Sequence, residues 1–228
     1  MSNEKIGQFV IVTGASRGLG YALSLAFARQ GAQVLGVATH APSSAEPAIQ
    51  WLQADLTTEE GLSTITYAAG DRSIACLAHC AGTLGPRVAI RDYPEAAWDD
   101  VLQVNLTAVF RLTKRLLPRM QTPGGVILNL SSGAGRRAAP EWGAYAVSKF
   151  GIDGFSLLLA EELQPSGIRV YSVNPGAMRT AMRAQAYPLE DPASVPDPQT
   201  VANFLTGLVQ APTGRYPVLL NARDYVEK

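Results

Sequence analysis

Apolar residues fall in short runs separated by stretches of helical periodicity along the whole chain. Residues 8–14 (QFVIVTG), 32–38 (AQVLGVA), 73–79 (SIACLAH), 125–132 (GVILNLSS) and 168–176 (IRVYSVNPG) read as strands, each bounded by glycine, proline or polar residues. Their continuous apolar character is what a parallel sheet covered on both faces requires. Residues 49–56 (IQWLQADL) carry a weaker strand pattern, and 215–221 (RYPVLLN) predict a last strand. Helices are predicted near 18–30, 58–69, 95–117, 143–163 and 198–210. Repeated β-α units of this kind predict a doubly wound parallel sheet flanked by helices. No linker, low-complexity tract or repeat divides it, so one α/β domain over residues 1–228 is expected.

Two connections break the rhythm. Residues 39–48 (THAPSSAEPA) are rich in proline and serine and predict a loop or short turn. Residues 177–198 begin with a short helical pattern and end in proline-punctuated coil. A long irregular segment leaving the carboxyl end of a strand is either a substrate lid or a surface loop.

At 228 residues and 47% hydrophobic, the chain has enough material for a full core. Basic and acidic residues balance at 19 each, which leaves no bulk field to draw nucleic acid or an anionic membrane. No apolar run is long enough to cross a bilayer, and the opening MSNEKIGQ lacks the basic-then-apolar pattern of a secretory leader. A cytoplasmic protein is expected. Cys76 and Cys80, on one face of a strand, would lie about 13 Å apart, too far for a disulfide. His79 beside Cys80 makes a poor metal site without further ligands, and no metal is expected.

The segment VTGASRGLGYAL (12–23) follows a strand and opens a helix. Gly14 permits a tight turn, Gly18 and Gly20 permit close approach of a pyrophosphate, and the exposed amides at the helix start meet its negative charge. That context predicts a Rossmann-type dinucleotide site. The spacing, however, is T-G-x-x-x-G-x-G over Thr13 to Gly20. The acidic residue that an NAD site wants at the end of the second strand is missing, since VATHA stands there. Arg17 inside the turn supplies a guanidinium for a 2′-phosphate, so the residues favour NADP over NAD.

A second constellation lies further on. Tyr145 and Lys149 in AYAVSK are four apart and leave one face of a helix. A lysine ammonium beside a phenol in a partly dry cleft favours the phenolate, which predicts a tyrosine of depressed pKa. Ser132, ending NLSS, lies thirteen residues before Tyr145 at the carboxyl end of a strand. Asn105 is a polar residue in an apolar helix and must be satisfied by something.

With these motifs the chain resembles the short-chain dehydrogenase/reductases over nearly its whole length. The resemblance implies a dinucleotide-binding half over about 1–125 and a catalytic and substrate half over about 126–228. It implies a catalytic tetrad of Asn105, Ser132, Tyr145 and Lys149, with Ser132 preferred to Ser131 by its interval, and Asn105 holding a water in a proton relay. Cofactor contacts are expected from Gly14, Ser16, Arg17, Gly18, Leu19 and Gly20, then from Thr39, Asp55, Leu56, Ala81 and Gly82. Tyr145, Lys149, Pro175, Gly176, Met178 and Thr180 complete that set. Asp55 either binds the adenine amine or caps the following helix. One departure is HCAG (79–82), where the family usually shows N-N-A-G, which puts the local sheet architecture in question.

The expected activity is NADPH-dependent reduction of a carbonyl, with Tyr145 as general acid/base. The alternatives are an NAD-dependent alcohol dehydrogenase and a non-catalytic dinucleotide sensor. GASRGLG and VNLTAVFRLTK look like bacterial 3-oxoacyl-carrier-protein reductases, while WGAYAVSKF and the segment after NPG look closer to an uncharacterised bacterial oxidoreductase branch. The substrate is thus a small-molecule carbonyl or an acyl thioester. Leu84, Trp142, Met178 and Met182 are apolar candidates for its pocket, and Arg136, Arg137, Arg179 and Arg183 are basic ones. These arginines either steer an anionic partner or are solvated and paired. Helix 143–163 is apolar on more than one face, which predicts a homo-oligomer, and the resemblance implies a homodimer or homotetramer.

Overall fold

The computed structural model describes residues 7–44 and 46–226; most of the opening segment read for a leader lies outside them. Seven strands form one sheet in the order β3-β2-β1-β4-β5-β6-β7, with every pair parallel. They are β1 (Phe9–Thr13), β2 (Gln33–Ala38), β3 (Ile49–Gln53), β4 (Ile74–His79), β5 (Val126–Leu130), β6 (Arg169–Asn174) and β7 (Leu219–Asn221). The helices are α1 (Gly18–Arg29), α2 (Glu59–Ala69), α3 (Glu95–Leu102), α4 (Ala108–Leu116), α5 (Gly143–Leu163), α6 (Ala181–Ala186), α7 (Pro198–Gln210) and α8 (Arg223–Val226).

The period of two along each strand divides the core. Val10, Val12, Cys76, Ala78, Val126 and Leu128 face α1 and α7, whereas Phe9, Ile11, Leu77 and Ile127 face α2, α4 and α5. Both faces are covered, which is why these strands read as unbroken apolar runs. Two strands are shorter than their patterns suggest: the third stops at Gln53 and the last begins only at Leu219 and ends, as expected, at Asn221. Past those points the chain turns toward the carboxyl edge of the sheet, where a ligand site forms in open α/β folds. Residues 39–44 and 46–48 are irregular, as their composition predicts.

The helix expected over 95–117 is not continuous. Between α3 and α4, Gln103–Thr107 form one turn of π-helix, closed by a bond from the Ala108 amide to the Gln103 carbonyl. Such a turn admits an extra residue, and here it carries Asn105 at its centre.

The substituted HCAG segment leaves the sheet intact. β4 keeps its pairing with β1 and β5 through His79, and both cysteines are free thiols. Thr13 ties this corner, its hydroxyl donating to the Ala78 carbonyl (3.4 Å) and accepting from the Ala81 amide (3.2 Å). His79 is buried and shares a 2.9 Å hydrogen bond with Thr113 on α4. Burial pushes its pKa down to about 3 from the usual value near 6.5. Above pH 6.5 both folded and unfolded chains hold this ring neutral. Below it the unfolded chain takes up a proton that the folded one refuses, so stability falls as pH drops toward 3. The expected loss is about 3 kcal/mol by pH 4. Urea midpoints measured across pH 7 to 4 should show it, and His79→Asn should flatten that limb.

Candidate active site

The glycine-rich turn runs from β1 into α1. Gly14 and Gly18 have φ of 65° and 56°, a region that side chains resist. A Cβ on Gly14 would stand 2.7 Å from the backbone of Ala81, so the turn can lie against the segment leaving β4 only as glycine. The start of α1 has no side-chain cap and no acidic residue in its first turn. Its amides therefore face the cleft as a ready anion site.

That cleft holds two joined cavities, each of about 440 Å³. The first runs from the α1 turn across the sheet edge. Gly14, Ser16, Arg17, Gly18, Leu19 and Gly20 line one end, and Thr39, Asp55 and Leu56 flank it. Ala81, Gly82, Tyr145, Lys149, Pro175, Met178 and Thr180 line the rest, whereas Gly176 lines the second cavity. The predicted cofactor residues thus converge on one cleft from separate loops. Arg17 and Thr39 stand there with no carboxylate at the end of β2, and this donor set fits a 2′-phosphate. Asp55 does not cap α2. The cap is Thr58, whose hydroxyl accepts from the Gly61 amide, while one Asp55 carboxylate oxygen accepts from the Thr57 amide and hydroxyl at 2.8 and 2.7 Å.

Tyr145 lines both cavities. It is buried in the first turn of α5 and hydrogen-bonded to the Ser132 side chain, which comes from the end of β5. Ser131, the neighbour, has a buried hydroxyl without a partner among the described residues and lines both cavities as well. Lys149 is buried one turn along α5, its Nζ donating to the Leu130 carbonyl at 2.6 Å and lying 5.6 Å from the Tyr145 ring centre. Burial pushes its pKa down to about 8, with Cys80 and Asp153 pulling it up. The expected depression of the phenol is not found. Burial holds Tyr145 above its ordinary value, and the Ser132 hydrogen bond pulls the other way without winning. Lys149 gives one of its three N–H donors to a strand-end carbonyl, and burial keeps the phenol protonated.

Asn105 lies behind this pair and outside both cavities. Its Oδ1 accepts from the Thr83 amide (2.8 Å), and its Nδ2 donates to the Thr83 carbonyl (2.9 Å) and to Ser148 Oγ (3.1 Å). Ser148 in turn donates to the Tyr145 carbonyl at 2.7 Å. Asn105 therefore clamps the β4 exit against the α5 turn that carries Tyr145 and Lys149.

The second cavity is walled by Leu84, Trp142, Met178 and Met182, as the sequence predicts, and also by Ala186 and Tyr187. The Arg87 guanidinium packs over Trp142 and Tyr187 at 4.8 and 5.4 Å and donates to the Ala186 carbonyl. Three of the four candidate arginines are spent within the protein. Arg136 pairs with Asp153 (2.9 Å) and donates to the carbonyls of Leu220 and Ser172 and to Asn221. Arg179 pairs with Asp197, and Arg183 grips Glu190 with two nitrogens while stacking on Tyr187. Only Arg137 both lines the cavity and lacks a partner among the described residues. Arg223, which lines it too, went unnoticed because it follows the last strand, far along the chain from the other wall residues.

The model of the short chain dehydrogenase family matches residues 8–191. The chain is 36% identical over 214 residues to the uncharacterized oxidoreductase YciK of Escherichia coli, covering 87% of this chain and 83% of that one. It is 32% identical over 186 residues to the 3-oxoacyl-[acyl-carrier-protein] reductase FabG of Vibrio cholerae, covering 77% and 75%. Among solved structures, a short chain dehydrogenase from Shigella flexneri complexed with NADP superimposes with a TM-score of 0.84 at 31% identity, covering 95% of this chain and 97% of that one. One from Escherichia coli CFT073 complexed with NADPH gives 0.84 at 32% identity, covering 95% and 96%.

Proposed function

The chain belongs to the short chain dehydrogenase family of oxidoreductases, and on that premise we propose that it uses NADPH to reduce a carbonyl group to an alcohol. One observation carries the reading: a buried, protonated Tyr145 stands where the two cavities meet, bonded to Ser132 and backed by Lys149. The cofactor assignment rests on Arg17 and Thr39 in a cleft whose β2 end lacks an acid, and it is supported by the NADP and NADPH complexes of similar proteins.

In this reading the α1 amides hold the pyrophosphate, Arg17 and Thr39 the 2′-phosphate, and Asp55 the adenine amine. Thr180, beside Pro175 and Gly176, holds the carboxamide end. Bound NADPH supplies the hydride. Ser132 and Tyr145 hydrogen-bond the substrate oxygen, and Tyr145 passes its proton to that oxygen as charge builds there. Lys149, with a pKa of about 8, is mostly charged at neutral pH; it holds the ribose and stabilises the phenolate that is left. A phenol protonated at rest is an acid ready for reduction. The substrate is a ketone or a 3-oxoacyl thioester, the latter supported by similarity to the FabG reductase.

The test follows NADPH oxidation against 3-oxoacyl thioesters and against free ketones, aldehydes and diketones. Turnover of either class with NADPH preferred over NADH supports the reading. Preference for NADH with alcohol oxidation replaces it with a dehydrogenase, and tight NADPH binding without any turnover replaces it with a sensor.

The reading includes self-association. Phe110 on α4 and Val147, Phe150, Leu157 and Leu158 on α5 are exposed, Leu158 by 58%. Phe110 meets Phe155 edge to face at 6.3 Å, so the two helices share one apolar surface. A second copy covers it at little cost in polar desolvation. Light scattering after size exclusion should return a dimer or tetramer, and a clean monomer at micromolar concentration would defeat this part.

A further inference from the structure

The chain is neutral overall, yet the wall of the second cavity is not. Arg137, Arg183 and Arg223 line it and no aspartate or glutamate does. Arg183 is neutralised by Glu190, and Arg223 makes contacts of its own. Arg137 has no hydrogen bond or ion pair among the described residues. Its neighbour Arg136 is drawn into the interior by four acceptors on α5, β6 and β7, which anchors the loop and leaves Arg137 on the cavity side. Trp142 and Tyr187 line the same cavity, with Arg87 packed on both rings, so its wall is cationic and aromatic. A guanidinium is permanently charged and matches a carboxylate or phosphate with two parallel donors.

We infer that the carbonyl substrate carries an anionic group, a carboxylate or a phosphate, and that Arg137 is the residue that selects for it. The inference rests on the carbonyl-reductase reading, whose own test is turnover; this one is therefore tested by binding. Calorimetric titration of the NADP⁺-loaded protein would compare 5-oxohexanoate with its methyl ester, and acetoacetyl-coenzyme A with the neutral acetoacetyl thioester of N-acetylcysteamine. The anionic member of at least one pair should bind about tenfold tighter or more. Arg137→Gln should bring that ratio close to one, and Arg137→Lys should restore part of it. Preference in the first pair identifies a carboxylate, and preference in the second identifies the phosphate of a thioester carrier. Equal affinities within both pairs, no binding of either anion, or a preference that survives Arg137→Gln would overturn the inference. Absence of turnover on every carbonyl, anionic or neutral, would count against the reductase reading alone, since the binding ratio does not depend on it.

Discussion

Tyr145→Phe is expected to lower kcat for carbonyl reduction by about a thousandfold or more while NADPH binding changes little. The substitution deletes one oxygen and leaves the ring, so packing against Trp142 at 5.5 Å survives. What goes is the proton that must reach the substrate oxygen. Ser132 is the other hydroxyl bonded at this point, but an alcohol is a far poorer acid than a phenol and cannot replace it. Lys149 cannot either, because it lines the first cavity and not the second, where the substrate lies. Stopped-flow traces of NADPH oxidation, paired with a fluorescence titration of NADPH, separate the two quantities. Residual turnover above a tenth of the parent would show that the proton comes from elsewhere.

Arg136→Met should be the most destabilising change near the site, by about 3–5 kcal/mol. The guanidinium ties the loop after β5 to α5, β6 and β7 through four acceptors, and the Asp153 side chain it pairs with is only 9% exposed. Removing the cation leaves a carboxylate in poor solvent, with the Ser172 hydroxyl still donating to it. For a domain of this size such a loss lowers Tm by roughly 10 °C, which thermal unfolding followed by circular dichroism would detect. Arg136→Met combined with Asp153→Leu should regain part of it, because no charge is then stranded. A double variant no better than the single one would mean that the remaining bonds of Arg136, not the ion pair, hold the loop.

The parts of this molecule that were legible in sequence are those set by short intervals. Unbroken apolar runs such as VILNL announce a sheet covered on both faces, and that is how β5 is buried. Ser132, Tyr145 and Lys149 are close in sequence and meet in space because a strand end and a helix start meet there. Arg136 stayed open between a cavity residue and a paired one for the opposite reason. Its acceptors lie 17 to 85 residues away, and nothing in RR beside AAP tells an interior guanidinium from one at a cavity mouth. Tyr187 was overlooked because it stands just past α6, where the short helical pattern of that segment stops. The sign of the Tyr145 shift was missed because spacing reports a nearby charge but not the degree of burial, and burial decides it.

The π-turn at Asn105 has a mechanical consequence. In an uninterrupted α-helix Val101 and Leu112, eleven residues apart, would sit within about 20° of each other on one face. The extra residue rotates the second half by about 100°, so Val101 joins the Leu84–Tyr145 cluster while Leu112 packs into the main core beneath the sheet. The element works as a crank, with one arm set to the substrate wall and the other to the sheet. Its throw is one residue, so the chain between Glu95 and Leu116 can be neither shortened nor lengthened by a single position without taking one arm out of phase.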